Sequence, residues 1–382
     1  MKRVPELDGV RGTAIVLVLI WHFVASHLQK NSVLGHALSL TNSGVDLFFV
    51  LSGFLIGGIL IDNRNAENYY ATFYARRSLR ILPLYFVWLA LFFAAKASYT
   101  GAFPWIFEHN LPWWSYATFT QNFLMVRQEQ LGPLGTSVTW SLSVEEQFYL
   151  LLPFLIRFTP RKHAPTFWLT MIMLTPVLRG AVTDRFGYTA AMVMMPMRGD
   201  ALLLGVLIAE LMRIEGFRAW VAEKRLAVCG IGTALASGTV LLMYRSNHFG
   251  AMGATWIALA CGWLVVVALS HPWGIVAKAL RLRILKFFGD ISFGLYLVHQ
   301  ALSQFIFACF LRKQPSFASR DDVLATMVAS IASVAVAYVS YRCFELPILS
   351  LGARFKYRVA AREGLPTGSV SVPHRPLVNG LT

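Results

Sequence analysis

The sequence predicts an all-α integral membrane protein. It should have about ten transmembrane helices, both termini cytoplasmic, and a long outer segment over 100–139 carrying an interfacial or re-entrant helix. Three observations predict this. Of the 382 residues, 56% are apolar and only 14% charged, where a soluble chain is nearer a quarter charged. The mean hydropathy is +0.56. Apolar stretches of roughly the 20 residues that a spanning helix needs recur along the whole chain.

In order, the spans are 12–28, 44–61, 81–99, 140–158, 166–183, 196–212, 226–244, 251–270, 287–310 and 323–345. The start, MKRVPELDGVRG followed by TAIVLVLIWHFVASHL, has the outline of a signal peptide. Glu6 and Asp8 in the would-be basic region, and His22 in the apolar run, make it a retained first helix instead. The segment 113–126 (WWSYATFTQNFLMV) is short, aromatic and polar, and is not counted as a span.

The basic residues arbitrate the topology. The net charge is +15, from 34 Lys and Arg against 19 Asp and Glu. On a soluble chain that excess points to nucleic acid; on a membrane chain it points to cytoplasmic loops. With the N-terminus inside, 23 basic residues fall on inner segments and 7 on outer ones, the other four lying within spans. Letting 113–126 cross would put Arg157, Arg161 and Lys162 outside and reverse every later loop. Trp105, Trp113 and Trp114 suit the membrane interface. The spread of basic residues over inner loops gives no nucleic-acid face. Two regions follow: a membrane domain over 1–350, and a cytoplasmic basic segment over 351–382, disordered where Gly, Pro and Ser accumulate after Arg362. Cys229, Cys261, Cys309 and Cys343 each sit in an apolar stretch without metal or redox spacing, so they read as small buried hydrophobes, and no metal is expected.

Ionisable groups inside spans are costly and mark function. Arg11 and His22, eleven residues apart, share one helix face at about 16 Å along the axis. That places Arg11 at the cytoplasmic surface and His22 past mid-membrane, where a neutral imidazole can take a proton. In GVDLFFVLSGFLIGGIL (44–60), Asp46 can orient an imidazole, bond an acceptor hydroxyl or cap the helix. Ser52, Gly53, Gly57 and Gly58 form a small-residue stripe suited to close packing. In FYARRSLRILPLYF (73–86), Arg76 and Arg80 face one way. They read either as an inner-face anchor or, with Arg77, as a phosphate clamp. TWSLSVEEQFYLLLP (139–153) places Ser141, Glu145, Glu146 and Tyr149 at the outer start of a span. Adjacent carboxylates point about 100° apart, so at most one of Glu145 and Glu146 faces a given cavity. Arg198 with Asp200, Asp290 with Ser292, Tyr296 and His299, and Arg342 with Glu345 are further interior polar groups.

Taken together, LDGVRG with Arg11 and His22, GVDLFFVLSGFLI, RRSLR followed by ILPLY, TWSLSVEEQFY, GDISFGLYLVH and FELP resemble the acyltransferase-3 family of membrane O-acyltransferases, over about residues 5–350. That family includes O-antigen, exopolysaccharide and nodulation-factor acetylases. The resemblance implies activity dependent on Arg11 and His22, an acyl-CoA co-substrate (acetyl-CoA foremost) held by Arg76, Arg77 and Arg80, and a functional glutamate at Glu145. Asp46 and Glu145 lie where an acceptor would arrive. His22 is expected as general base or transient acyl carrier. The partners implied are a glycan or lipid-linked sugar acceptor and the lipid bilayer, with a multi-pass place in a bacterial inner membrane. Some members add a C-terminal periplasmic hydrolase-like domain, which this sequence does not display, so a stand-alone transferase is expected. The competing class is a multi-pass transporter or flippase with a proton-coupled His, Asp and Glu site. A lesser alternative is transfer to a macrolide or other small-molecule hydroxyl.

Overall fold

Every one of the ten expected spans is an α-helix in the computed structural model, which describes residues 4–28, 33–99, 101, 103–245, 251–271 and 274–358. We number them α1 (Pro5–Phe23), α2 (Gly44–Asp62), α3 (Tyr69–Ala97), α4 (Thr139–Phe158), α5 (Ala164–Val193), α6 (Met195–Leu211), α7 (Arg225–Arg245), α8 (Ala251–Ser270), α9 (Ser292–Leu311) and α10 (Arg320–Ser340). The described residues contain no strand. Among the described residues seven helices are long and apolar enough to cross a membrane: α1, α2, α3, α5, α8, α9 and α10 with its C-terminal continuation. The shortfall of the rest has a chemical origin. α4 carries Glu145, Glu146 and Arg157, and α6 has 17 residues. The protein is therefore an all-α, multi-pass membrane protein.

Local chemistry sets the helix ends. Pro5 occupies the first turn of α1, with Glu6 and Asp8 beside the helix N-terminus. Ser319 and Asp322 close a capping box at the start of α10. α5 kinks at Gly187, whose φ of 81° a side chain would strain. α10 runs through a π-turn (Tyr341–Glu345) into a last short helix, Leu346–Gly352.

α2 is the central helix, with 14 of its 19 residues buried. It packs on α1, α4, α6 and α8. The small-residue stripe acts here as packing: a Cβ on Gly53 would overlap the Leu202 carbonyl, and one on Gly205 the Val50 carbonyl. α1 is wedged between α2, α9 and the short helix Arg283–Asp290. The opposite faces of the outer helices are apolar and uncovered: Leu324, Met327, Val328 and Ile331 form an exposed i, i+3, i+4, i+7 stripe on α10, the face a bilayer covers. Cross-helix bonds join ends that the alternating topology places on one side. Arg213 pairs with Asp62, and Arg281 with Glu6, at inner ends; Arg198 pairs with Asp46, and Arg179 with Asp200, towards outer ends.

Several expectations need correction. α3 starts twelve residues before the expected 81, because its arginines face a cavity instead of ending the helix. The expected single helix at 113–126 is two, Trp113–Ala117 and Gln121–Gln128, broken where Phe119 takes a φ of 55°. At about 1.5 Å per residue neither approaches bilayer thickness. Gln121 and Asn122 tie the second to α4 and α5 through the Thr139 and Val193 carbonyls. Trp113 and Trp114 are exposed. Of the four cysteines only Cys261 is buried; Cys229, Cys309 and Cys343 are on the outer surface of the bundle. Apolar neighbours in sequence signal lipid contact there, not interior packing. Residues 354–358 are docked on the helical body. The tail expected to be disordered after Arg362 lies outside the described residues.

Candidate active site

An open cavity runs between α1, α2, α3, α4 and α9. Its inner end is lined by Arg11, Arg76, Arg77, Arg80 and Tyr357. Its far end is lined by Val45, Phe48, Ser141 and Tyr296; Glu145, bonded to Ser52, also lines it, within electrostatic reach of Arg77 and Arg80. The middle is apolar, with Leu55, Ile56 and Ile81 on the wall.

All three arginines of the RRSLR run reach this cavity, not just one face of the helix. The guanidinium of Arg77 sits 4.1 Å from the centroid of the Tyr149 ring, a cation–π seat, and its Nε is buried without a hydrogen-bond partner. Arg80 lies within electrostatic reach of Arg11, Arg77 and the Glu345 of the π-turn. None of Arg76, Arg77 and Arg80 forms an ion pair among the described residues. Arg11 has Asp8 at 3.7 Å. On the wall itself stand four guanidinium groups and one carboxylate, Glu145, while Asp8, Glu146 and Glu345 lie within electrostatic reach of Arg11, Arg77 and Arg80 off the wall. Guanidinium donors facing a partly dry cleft favour an anion with several oxygens.

Of the two adjacent glutamates only Glu145 lines the cavity, and its Oε1 accepts a 2.7 Å bond from Ser52. Glu146 points elsewhere, with a buried Oε1 lacking a partner. The 100° argument therefore selects one carboxylate, and the structure identifies it. Ser141 and Tyr296 share a 2.7 Å hydroxyl bond, and the Tyr296 hydroxyl is 3.1 Å from the Val138 carbonyl. This clasp joins α4 to α9 at the far end.

Beyond that end stand two imidazoles. Tyr296 is one helical turn from His299, with ring centroids 5.9 Å apart. His299 Nε2 is 3.2 Å from His22 Nδ1. The hydrogen-bond network assigns the tautomers, because a carbonyl can only accept. His299 Nδ1 lies 2.8 Å from the Tyr296 carbonyl and 3.1 Å from that of Leu295, so it carries the proton. His299 Nε2 then holds the lone pair. His22 Nδ1 faces that lone pair and, at 3.0 Å, the Val18 carbonyl; two acceptors require an N–H. The lone pair of His22 is left on Nε2, the atom a base would use.

The remaining candidates form a separate cluster. Asp46 pairs with Arg198 and is not on the cavity wall. Arg198 rests near the rings of Phe49 and Trp140. Asp200 accepts from Arg179 at 2.6 Å and from the Thr255 hydroxyl at 2.5 Å, while Arg179 Nε donates to the Met197 carbonyl at 2.7 Å. Here charges are matched within the fold. Sequence reading missed Tyr357 and the Ser52–Glu145 bond. Tyr357 sits in the aromatic and basic run RFKYR, where only positive charge was noted; Ser52 was masked by the glycine stripe around it.

Residues 4–342 match the family model described as an acyltransferase domain. The chain is 26% identical to the O-acetyltransferase OatA of Staphylococcus aureus over 92% of its own length and 58% of the relative's. It is 25% identical to the peptidoglycan O-acetyltransferase OatA of Listeria monocytogenes, over 92% of its own length and 56% of the relative's. The chain thus spans little more than half the length of these curated relatives. No solved structure matches it. With the family model covering all ten helices up to the π-turn, this chain belongs to the acyltransferase-3 family.

Proposed function

We propose that the protein is an O-acyltransferase of the bacterial inner membrane, moving an acetyl group from cytoplasmic acetyl-CoA to a hydroxyl of a cell-envelope glycan. One observation carries this reading: a single cavity has four arginines at its inner end and the His22–His299 pair just beyond its far end. The relatives' names, O-acetyltransferase and, for one, peptidoglycan O-acetyltransferase, support the same class of reaction and acceptor.

In this reading Arg76, Arg77, Arg80 and Arg11 hold the phosphates of the donor. The apolar middle of the cavity takes its extended arm, which must cover about the 16 Å between Arg11 and His22. His22 Nε2 removes the proton of the acceptor hydroxyl as its oxygen attacks the thioester carbonyl. The C–O bond forms, the C–S bond breaks, and the leaving thiolate recovers the proton from the His22 imidazolium. His22 Nδ1 keeps its proton on Val18 and His299 throughout. That favours the base over the acyl-carrier route: an acyl group on Nε2 would force Nδ1 to shed this proton to stay neutral, leaving a lone pair against the Val18 carbonyl. Glu145, held by Ser52, is suited to bind an acceptor hydroxyl. Asp46 serves instead to neutralise Arg198.

The test is turnover of the purified full chain in nanodiscs with acetyl-CoA and soluble peptidoglycan fragments, following free thiol and acetyl ester together. Equal amounts of each are expected. His22→Ala should lower both by about 10²–10⁴ while the protein remains folded. Undiminished transfer by that variant contradicts the assignment.

A further inference from the structure

The inner end of the cavity is bordered by a piece of chain that contributes no transmembrane span. After the helix Leu346–Gly352, residues 354–358 lie along the loop that opens α3. The Glu67 amide donates to the Arg358 carbonyl at 2.9 Å, the Arg358 amide to Asn68 Oδ1 at 2.8 Å, and Asn68 Nδ2 to the Lys356 carbonyl at 2.9 Å. Asn68 thus grips this strap from both sides with one amide. The grip turns Tyr357 inward: it lines the cavity, and its phenolic oxygen is buried without a hydrogen-bond partner. Its neighbours Arg354, Phe355, Lys356 and Arg358 are all exposed.

A buried phenol with no partner is disfavoured, so its placement calls for a partner that the described chain does not supply. Burial pushes the Tyr357 phenol up to about 12, against the opposing pull of the nearby Arg76 charge. The group is therefore an O–H donor at neutral pH. It opens into a wall whose other polar groups at this end are guanidinium donors. Donors converging on one space call for an acceptor, and the positive charge calls for an anion.

We propose that Tyr357, held by Asn68, is a phosphate-binding residue that donates its phenolic proton to a phosphate oxygen beside Arg76. The strap then completes the nucleotide end of the donor site. This rests on the acetyl-CoA reading above. A phosphate could also come from an anionic lipid headgroup, so the test has arms for both.

CoA binding and acetyl-CoA kinetics are measured on the full chain in nanodiscs of zwitterionic lipid and again with phosphatidylglycerol. Tyr357→Phe keeps the ring and loses only the donor. It should raise the Kd for CoA and the KM for acetyl-CoA about tenfold in both lipids, with the loss in KM and not in kcat. Asn68→Ala, which frees the strap, should give a similar increase. The KM for acetyl-pantetheine, which lacks the nucleotide, should not respond to Tyr357→Phe; an equal rise there would mean altered cavity shape and would overturn the proposal. So would an unchanged Kd for CoA, or an effect confined to phosphatidylglycerol, which would assign the phenol to a lipid. If the wild-type chain binds no CoA, both this proposal and the donor reading fall. If the wild type binds CoA and Tyr357→Phe binds it equally well, only this one falls.

Discussion

Two groups of buried or part-buried arginines in this bundle differ in one respect. Arg179 and Arg198, together with Asp46 and Asp200, form a matched cluster between α2, α5, α6 and α8, behind the cavity wall and not on it. Arg76, Arg77 and Arg80 stand on a cavity wall without ion pairs among the described residues. Charge inside a membrane domain is costly in both places. In the first, the fold itself supplies the counter-charge and leaves no room for a ligand. In the second, guanidinium groups without a close ion pair coincide with open space. It is this coincidence, not burial of charge, that distinguishes a binding site from a polar staple.

The largest expected effect breaks the matched cluster. Asp200→Ala leaves Arg179 buried and uncompensated, which costs about 3–5 kcal/mol. It should appear as a sharp loss of thermal stability or of folded yield, and any surviving protein should bind CoA as the wild type does. A stable Asp200→Ala variant with weakened CoA binding would erase the distinction. Next in size, Arg77→Gln should leave thermal stability close to wild type and raise the Kd for CoA about 10–100-fold, the worth of one or two charge-assisted hydrogen bonds. The effect should shrink as salt is raised.

A smaller effect is expected at the imidazole pair. His299→Ala removes one of two acceptors for His22 Nδ1, so kcat should fall about tenfold and the pH–rate profile should move. Gln, whose side-chain oxygen can accept the same bond, should restore part of both. A loss of stability without a change of profile would mean that His299 only packs. The smallest effect is at Arg213. This inner-face arginine is paired with Asp62 by two 2.8 Å bonds and is part-exposed. Arg213→Gln should cost no more than about 1 kcal/mol and leave CoA binding unchanged.

The contrast also explains what was legible in the sequence. The positions of the helices followed from apolar runs, because the bilayer imposes their length and composition. Arg11, Arg76, Arg77, Arg80 and Glu145 were legible as polar residues at span ends, and all five line the cavity. What could not be read was which charges cancel. Asp46 and Arg198 are 152 residues apart in sequence, and only the packing of α2 on α6 joins them. For the same reason Asp46 was grouped with the acceptor site and not with its arginine. His299 was one polar residue among several on its helix until α9 met α1. Tyr357 was hidden because its neighbours suggested a solvated basic segment. Apolar context also misled for three cysteines, since a membrane protein has two apolar environments and a sequence does not separate them.

The most direct test of the central claim is the affinity of the purified full chain for CoA, measured side by side for the wild type, Arg77→Gln and Arg213→Gln. The account predicts a Kd about 10–100-fold weaker for Arg77→Gln and the wild-type value for Arg213→Gln. Equal Kd values in all three proteins would contradict it.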